Sequence, residues 1–288
     1  MNLLYLVIIL LFLIFILLLA KLVGKRLFQS FMMFFIIITV LIVAFLFDQN
    51  GKAVKAVEHI KYWFQTPIVN TNTFLQNNFD VSIIKIKENV LIDAPVLNQM
   101  PELPRGCEVT SLAMLLQHAG IEVDKMTLAK EIKKDPSVYQ VKNGVVHFGH
   151  PNDGFVGDMY SFQTPGLGVY HKPIKELAEQ YLPGNIIDLT GASFQELTIH
   201  LSDERPVWVI INTTYKKLPT NYFQTWQTPS GPVDITYKEH SVLLTGYDKD
   251  YIYFNDPLTG EKNKKAPLKD FEESWVQMGS QAITYLSR

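Results

Sequence analysis

The 288-residue chain is 48% hydrophobic and nearly neutral, with 26 basic and 28 acidic side chains and a formal net charge of −2. Its apolar content is concentrated at one end: 39 of the first 47 residues are apolar, and only Lys21, Lys25 and Arg26 among them are charged. That end argues against a soluble cytosolic protein. Residues 48–288 hold 23 basic and 28 acidic groups, a net of −5, which excludes a basic nucleic-acid binder, and their ordinary apolar content excludes a disordered chain. A single cysteine excludes an intramolecular disulfide framework and a Cys-rich zinc site.

Leu3–Ala20 is an unbroken apolar run of 18 residues, which as a helix spans about 27 Å at roughly 1.5 Å per residue, close to the hydrocarbon thickness of a bilayer. Phe31–Phe47 is a second run, interrupted only by Thr39. Between them lies a short basic turn, Lys21–Arg26. A cleaved signal peptide or a buried helical hairpin is the alternative. The first charge follows the apolar run instead of preceding it, and Leu-Leu-Leu-Ala-Lys is a poor cleavage site, so two retained transmembrane helices are expected. The basic turn places itself in the cytoplasm and residues 48–288 outside, although Lys52, Lys55 and Lys61 after the second span pull the other way. The expected location is therefore the cell membrane, crossed twice, with an extracellular domain.

Residues 1–50 form the expected two-helix anchor and residues 51–87 a juxtamembrane helix and linker. Val54, Val57, Ile60 and Phe64 fall near a helical period within Gly51–Gln65, whereas residues 66–80 are rich in Asn and Thr. A tether is the simplest role for this stretch, with a blocking propeptide as the alternative.

Residues 88–288 are expected to fold as one α+β domain. Val90–Leu97 has the composition of a strand, and Met100–Gly106, with two prolines and a glycine, must be a loop. From Cys107 to Ala119 a helical stripe of Val109, Leu112, Ala113, Leu115, Leu116 and Ala119 ends at Gly120. The only cysteine thus sits at the mouth of a helix, where unpaired N–H groups and the dipole favour a thiolate and lower the thiol pKa. A buried, unreactive cysteine is the competing reading.

A cysteine nucleophile needs a base and a group that orients the base. Lys238–Asp248 is a β-rich run that carries His240 near its start and ends in a Gly-Tyr-Asp turn, followed by a second strand, Tyr251–Phe254, and then Asn255-Asp256-Pro257. In an antiparallel hairpin of that form His240 and Asp256 become neighbours across the ladder, and the carboxylate fixes the imidazole tautomer. Asp248, at the far end of the His240 strand, would lie about 26 Å away at roughly 3.3 Å per residue.

His147, His150 and Asp153 bring three metal-ligand types together on a Gly/Pro/Asn-rich loop, without the scaffold that zinc needs. The same loop, Phe148–Tyr160, is expected to wall a substrate cleft. No phosphate loop, serine elbow or dinucleotide fingerprint is present, so neither a cofactor nor a metal is expected. Leu128–Lys134, Lys172–Leu182, Phe194–Leu201 and Leu268–Met278 have helical patterns. Pro206–Asn212 is a buried strand and Ala282–Leu286 a closing one.

The order of Gly-Cys on a helix, His 133 residues later and Asp 16 further on resembles that of the papain-like cysteine peptidases. More narrowly the chain resembles the bacteriocin-processing, double-glycine peptidase family and its free-standing relatives in Gram-positive bacteria. The residues that carry the likeness are Asn98-Gln99, Gly106-Cys107-Glu108, Thr110–Met114, His240 and Asn255-Asp256-Pro257, with Asn152–Gly157 and Gly168–Tyr170 in support. The papain signature Cys-Gly-Ser-Cys-Trp is missing. The resemblance covers residues 88–287. It implies a papain-like fold, a helical half and an antiparallel β half with the cleft between them, and a peptide or protein substrate. Cys107 would be the nucleophile, His240 the base, Asp256 its orienting group and Gln99 an oxyanion-hole donor worth about 3–4 kcal/mol. A non-catalytic peptide-binding domain, and thioester transfer or amidase chemistry on cell-wall peptides, stay open at this point.

Overall fold

The computed structural model describes residues 86–286. The two apolar runs, the basic turn between them, the juxtamembrane helix and the linker lie outside the described residues. Among the described residues no helix is long and apolar enough to cross a membrane.

The first strand, β1, is Val90–Leu91 only. The strand expected over Val90–Leu97 stops early: the Ala94 N–H turns back to the Ile92 carbonyl at 3.0 Å, and the carbonyls of Ala94 and Pro95 accept from the Asn255 side chain, at 3.1 and 2.8 Å. Helix α1, Cys107–His118, follows the loop, with every side chain from Cys107 to Leu116 buried. Gly120 at φ 83° ends it in the left-handed region. Helix α2 is Lys125–Glu131, started by the Asp124 carboxylate, which accepts from the N–H groups of Met126 and Thr127. This places it three residues ahead of the expected Leu128–Lys134, and Lys134–Asp135 is instead the short strand β2.

Three more short strands follow, β3 at Gln140–Lys142, β4 at Val145–His147 and β5 at Phe155–Val156. Then come helix α3 (His171–Tyr181), strand β6 (Ile186–Asp188) and helix α4 (Phe194–Ser202). Helix α4 begins in a capping box in which Ser193 and Glu196 satisfy each other's backbone N–H groups. Strand β7, Val207–Asn212, is buried at all six positions. The remaining elements are β8 (Gln224–Thr228), β9 (Gly231–Ile235), β10 (Glu239–Tyr247), β11 (Tyr251–Asp256), β12 (Glu261–Pro267), helix α5 (Leu268–Gln277) and β13 (Ala282–Tyr285).

The central sheet has seven strands in the order β12-β11-β10-β7-β13-β6, with β1 added against β10, and all its pairings are antiparallel. Helix α1 packs on β10 and β7, and its Leu112, Leu115 and Leu116 join Trp208, Val209, Leu243 and Phe254 in one core. Burying such residues stabilises the fold by about 25 cal/mol per Å2 of apolar surface removed from water. Strand β12 forms an edge and carries Lys262, Lys264 and Lys265, charges that discourage further pairing. A separate four-stranded sheet, β3-β4-β8-β9, encloses a small second core of Phe148, Val156, Leu167, Trp226 and Ile235. The arrangement is the expected α+β architecture, in which a helix-borne segment faces an antiparallel sheet.

Candidate active site

Cys107 opens α1, and its predecessor is a glycine for a steric reason. A Cβ on Gly106 would stand 2.5 Å from Leu103 Cβ, so only glycine lets the loop fold this tightly onto the helix start. The first turn is then pinned from the sheet, where Trp208 Nε1 donates to the Glu108 carbonyl at 3.0 Å. Ser111 Oγ donates to the Ser241 carbonyl at 3.1 Å, which ties the same helix to β10.

His240 lies on β10, buried, and its Nε2 bonds Asp256 Oδ1 at 2.9 Å. Leu243 is opposite Asn255 in the β10–β11 ladder. Continuing that register by one residue sets Asp256 across from Val242, so His240 meets it along the diagonal and not directly opposite. The expected pairing therefore forms, two residues out of the simplest register. Nε2 is engaged, and Nδ1 is the ring nitrogen left for a reacting group.

Asp256 is fully buried and accepts from five donors. Besides His240 these are the Leu258 N–H and the Thr259 and Tyr215 hydroxyls, each at 2.9 Å, and Lys264 Nζ at 2.7 Å. Burial alone would raise its pKa, but the His240, Lys264 and Tyr215 bonds outweigh it and hold the carboxyl well below the usual carboxylate range. Tyr215 stands at φ 55°, a backbone conformation uncommon for a bulky residue, and Lys264 Nζ lies 4.9 Å from the centre of its ring. Asp248 is remote from all this. It accepts from the Asp250 and Tyr251 N–H groups and the Tyr253 hydroxyl at the hairpin turn.

Gln99 is buried, and its side chain lines the same cleft as Cys107 and His240. Its Nε2 donates to the Leu103 and Pro104 carbonyls at 3.2 and 2.9 Å, while Oε1 has no partner. Both carboxamide hydrogens are therefore engaged within the loop. Phe162, Gly166, Leu167, Tyr237 and Leu258 are among its other wall residues. The loop Phe148–Tyr160, expected as a wall of this cleft, lines a neighbouring cavity instead through Phe148, Met159 and Tyr160. Its Phe148 is drawn into the second core by edge-on contact with Tyr139 and packing on Trp226.

His147, His150 and Asp153 are occupied separately. His147 pairs within the small sheet, His150 Nδ1 accepts from the Asn152 N–H, and Asp153 accepts from the Ser230 hydroxyl. Among the described residues the set whose donor atoms converge is a different one: Cys107, Glu108 and Glu239, within 4.8 Å of one another. Glu108 has its two oxygens taken by the Val169 N–H at 2.7 Å and the Cys107 thiol at 3.3 Å.

The thiol is not lowered as its helix position led us to expect. Burial pushes Cys107 up, the Glu108 and Glu239 carboxyls add to that, and the Ser241 backbone hydrogen bond acts against them without prevailing. A helix terminus contributes at most about 1–2 kcal/mol, less than desolvation of a thiolate beside two acids. From the sequence Glu108 enters only as part of the Gly106-Cys107-Glu108 likeness and Glu239 not at all, since one reads as an acid in the first turn of a helix and the other as a polar strand start. The available signal was adjacency: each is the chain neighbour of a candidate catalytic residue.

Comparison with known proteins agrees with this geometry. Residues 91–283 match the profile described as the Peptidase_C39 like family. The chain is 50% identical over 194 residues to the uncharacterized protein YvpB of Bacillus subtilis (strain 168), a match spanning 67% of this chain and 74% of that protein. A crystal structure from Bacillus anthracis, of a protein named as a C39-like peptidase, superposes with a TM-score of 0.65 at 51% identity, covering 70% of this chain and 99% of that one.

Proposed function

Because the chain belongs to the Peptidase_C39 like family, we propose that it is a cysteine peptidase, held at the membrane by its N-terminal apolar runs and acting on a peptide or protein outside it. The observation that carries this reading is the buried His240–Asp256 pair at 2.9 Å on the wall of the cleft that also holds Cys107. A scaffold has no need of an imidazole whose tautomer is fixed by a carboxylate with five donors.

In the proposed reaction Cys107 Sγ gives its proton to His240 Nδ1 and attacks the scissile carbonyl carbon. The carbonyl oxygen becomes an oxyanion, which accepts from the Cys107 backbone N–H and from Gln99 Nε2 after that group gives up one loop carbonyl. Collapse expels the leaving amine, protonated by His240, and leaves a thioester on Cys107. Water, deprotonated by the same imidazole, then releases the acid. Asp256 stays ionised throughout and compensates the imidazolium. Support for the anchor is the hydropathy of Leu3–Ala20 and Phe31–Phe47, and support for the outside location is the basic turn at Lys21–Arg26.

The test is cleavage of a peptide library by the full-length chain, double-glycine leaders of the bacteriocin type included, with Cys107→Ala as control. Cleavage lost in the control is the expected result. Cleavage by neither protein, or equally by both, would remove the peptidase reading. A second reading, a peptide-binding domain on the same fold, draws on the Cys107 thiol being hydrogen-bonded to Glu108 and raised by burial. It predicts binding without any covalent adduct on Cys107.

A further inference from the structure

Two carboxyls that the reaction above leaves without a task stand beside the nucleophile. Glu108 is wholly buried and accepts from the Cys107 thiol and the Val169 N–H. Glu239, which precedes His240 on β10, lines the cleft, and its Oε1 is enclosed without a hydrogen-bond partner. The backbone of the Gly168 segment lies directly on both. A Cβ at Gly168 would stand 2.1 Å from Glu108 Oε1 and 2.8 Å from Glu239 Oε2.

The groups around this pair offer it no counter-charge. From α1 comes the Cys107 thiol, from β10 the adjacent His240, whose Nε2 is committed to Asp256, and from the Gly168 segment the Val169 N–H. The Tyr170 hydroxyl is near enough to interact electrostatically with both carboxyls, and itself feels Asp234 of β9. Among the described residues no lysine or arginine nitrogen lies within 4.0 Å of either carboxyl. Arg105 shares the cleft, but it donates to the Asp158 and Ser161 carbonyls and covers the Phe162 ring. Two carboxylates this close disfavour each other's ionisation, so together they hold a proton to higher pH than a lone carboxylate does.

We propose that the Glu108–Glu239 pair positions the proton of the nucleophile: while the pair keeps its own proton Cys107 ionises toward His240, and once the pair is fully ionised Cys107 is locked as a thiol. The inference rests on Cys107 being the nucleophile. The controlled step moves one proton from Cys107 Sγ to His240 Nδ1 and leaves a thiolate–imidazolium pair, with no change in net charge. Protonated, the carboxyl pair supplies an O–H that can turn to the sulfur and donate. Ionised, Glu108 Oε2 can only accept the S–H, and the added negative charge opposes a thiolate. Burial moves Glu108 up to about 7, and burial together with Glu108 moves Glu239 up as well, so the pair gives up its last proton above the ordinary carboxylate range.

The experiment is the rate of alkylation of the full-length chain by iodoacetamide from pH 5 to 9, read by mass, with Cys107 the only thiol that can respond. The wild-type rate should be high near pH 6 and fall about tenfold by pH 8, the equivalent of one pKa unit in the thiolate–imidazolium balance. Glu108→Gln and Glu239→Gln keep the shape and can donate an N–H to sulfur without carrying charge, so the fall should vanish in both. Glu239→Gln guards against misfolding of the other variant, because Oε1 loses no bond. In infrared spectra a protonated carboxyl band should be present in wild type below neutrality and be diminished in each variant. A wild-type rate that climbs steadily with pH, or an unchanged fall in both variants, would overturn the proposal. Neither measurement requires peptide cleavage. A chain with the expected profile that cuts no peptide would refute the peptidase reading and leave this one in place.

Discussion

The backbone N–H of Gln99 donates to the carbonyl of Pro257 at 2.8 Å, so the loop that carries the candidate oxyanion donor is fastened to the turn that follows Asp256. Asn255 adds a second fastening by holding the Ala94 and Pro95 carbonyls. Segments about 160 residues apart in sequence are thereby set against each other, and Cys107 lines the same cleft as Gln99 and Leu258.

Substitution of the two acids that flank the β10–β11 hairpin should separate them cleanly. Asp256→Asn leaves the shape but presents the imidazole in a poorer tautomer, and kcat/KM should fall about a hundredfold or more. Asp248→Asn, which touches only the hairpin turn, should change it less than about twofold. The check is steady-state cleavage of a library-derived peptide. The reverse order of damage would mean that Asp256 is not the orienting group.

Gln99→Ala should leave alkylation of Cys107 close to wild type, because nucleophile and base are untouched, yet lower kcat by about two to three orders of magnitude. A variant that cleaves at the wild-type rate would return Gln99 to a purely structural part, that of tying the Leu103 and Pro104 carbonyls.

Stability should depend on pH at both ends. Glu108 titrates higher in the folded chain, about 7 against an ordinary 4.5, so folding binds its proton more tightly. That contribution is complete below pH 4.5 and is lost as pH rises through 7. Asp256 is lowered, so its contribution is present above the ordinary 3.8 and is lost as pH falls below that value. Urea unfolding should accordingly show the wild type weakening between about pH 4.5 and 7, and Glu239→Gln weakening less. Equal slopes in the two proteins would contradict the assignment.

Topology is open to direct assay. Protease added to intact cells should remove residues 48–288, while a reporter placed in the Lys21–Arg26 turn should stay protected. The opposite pattern would turn the chain over and make its substrate cytosolic.

Much of the domain was legible because its main elements carry strong local patterns. Helices α1, α3, α4 and α5 and strands β7, β10, β11 and β13 have apolar periodicity that survives tertiary packing, and their expected bounds agree with the structure to within a residue or two. The small sheet was not legible. Its strands are three to five residues of mixed character, such as Gln140–Lys142, and they exist because β4 and β8 meet across some 80 residues of sequence. Strand β12 reads as a charged loop since it forms an edge. The site divides in the same way. Cys107, His240 and Asp256 could be found from their places on elements, whereas Tyr215 and Lys264 reach Asp256 only through the fold, and the acidity around the thiol could be seen only once Glu108 and Glu239 were brought together.

The lone cysteine has a consequence for oxidation. A sulfenic acid formed at Cys107 has no second thiol in the chain to condense with, so a disulfide can form only with a thiol from outside, and further oxidation leads irreversibly to the sulfinic acid. Oxidants attack the thiolate far faster than the thiol. With Glu108 accepting the S–H, the resting nucleophile is kept in its least oxidisable form, and the enclosure that makes the sulfur harder to ionise also lengthens its working life under oxidising conditions.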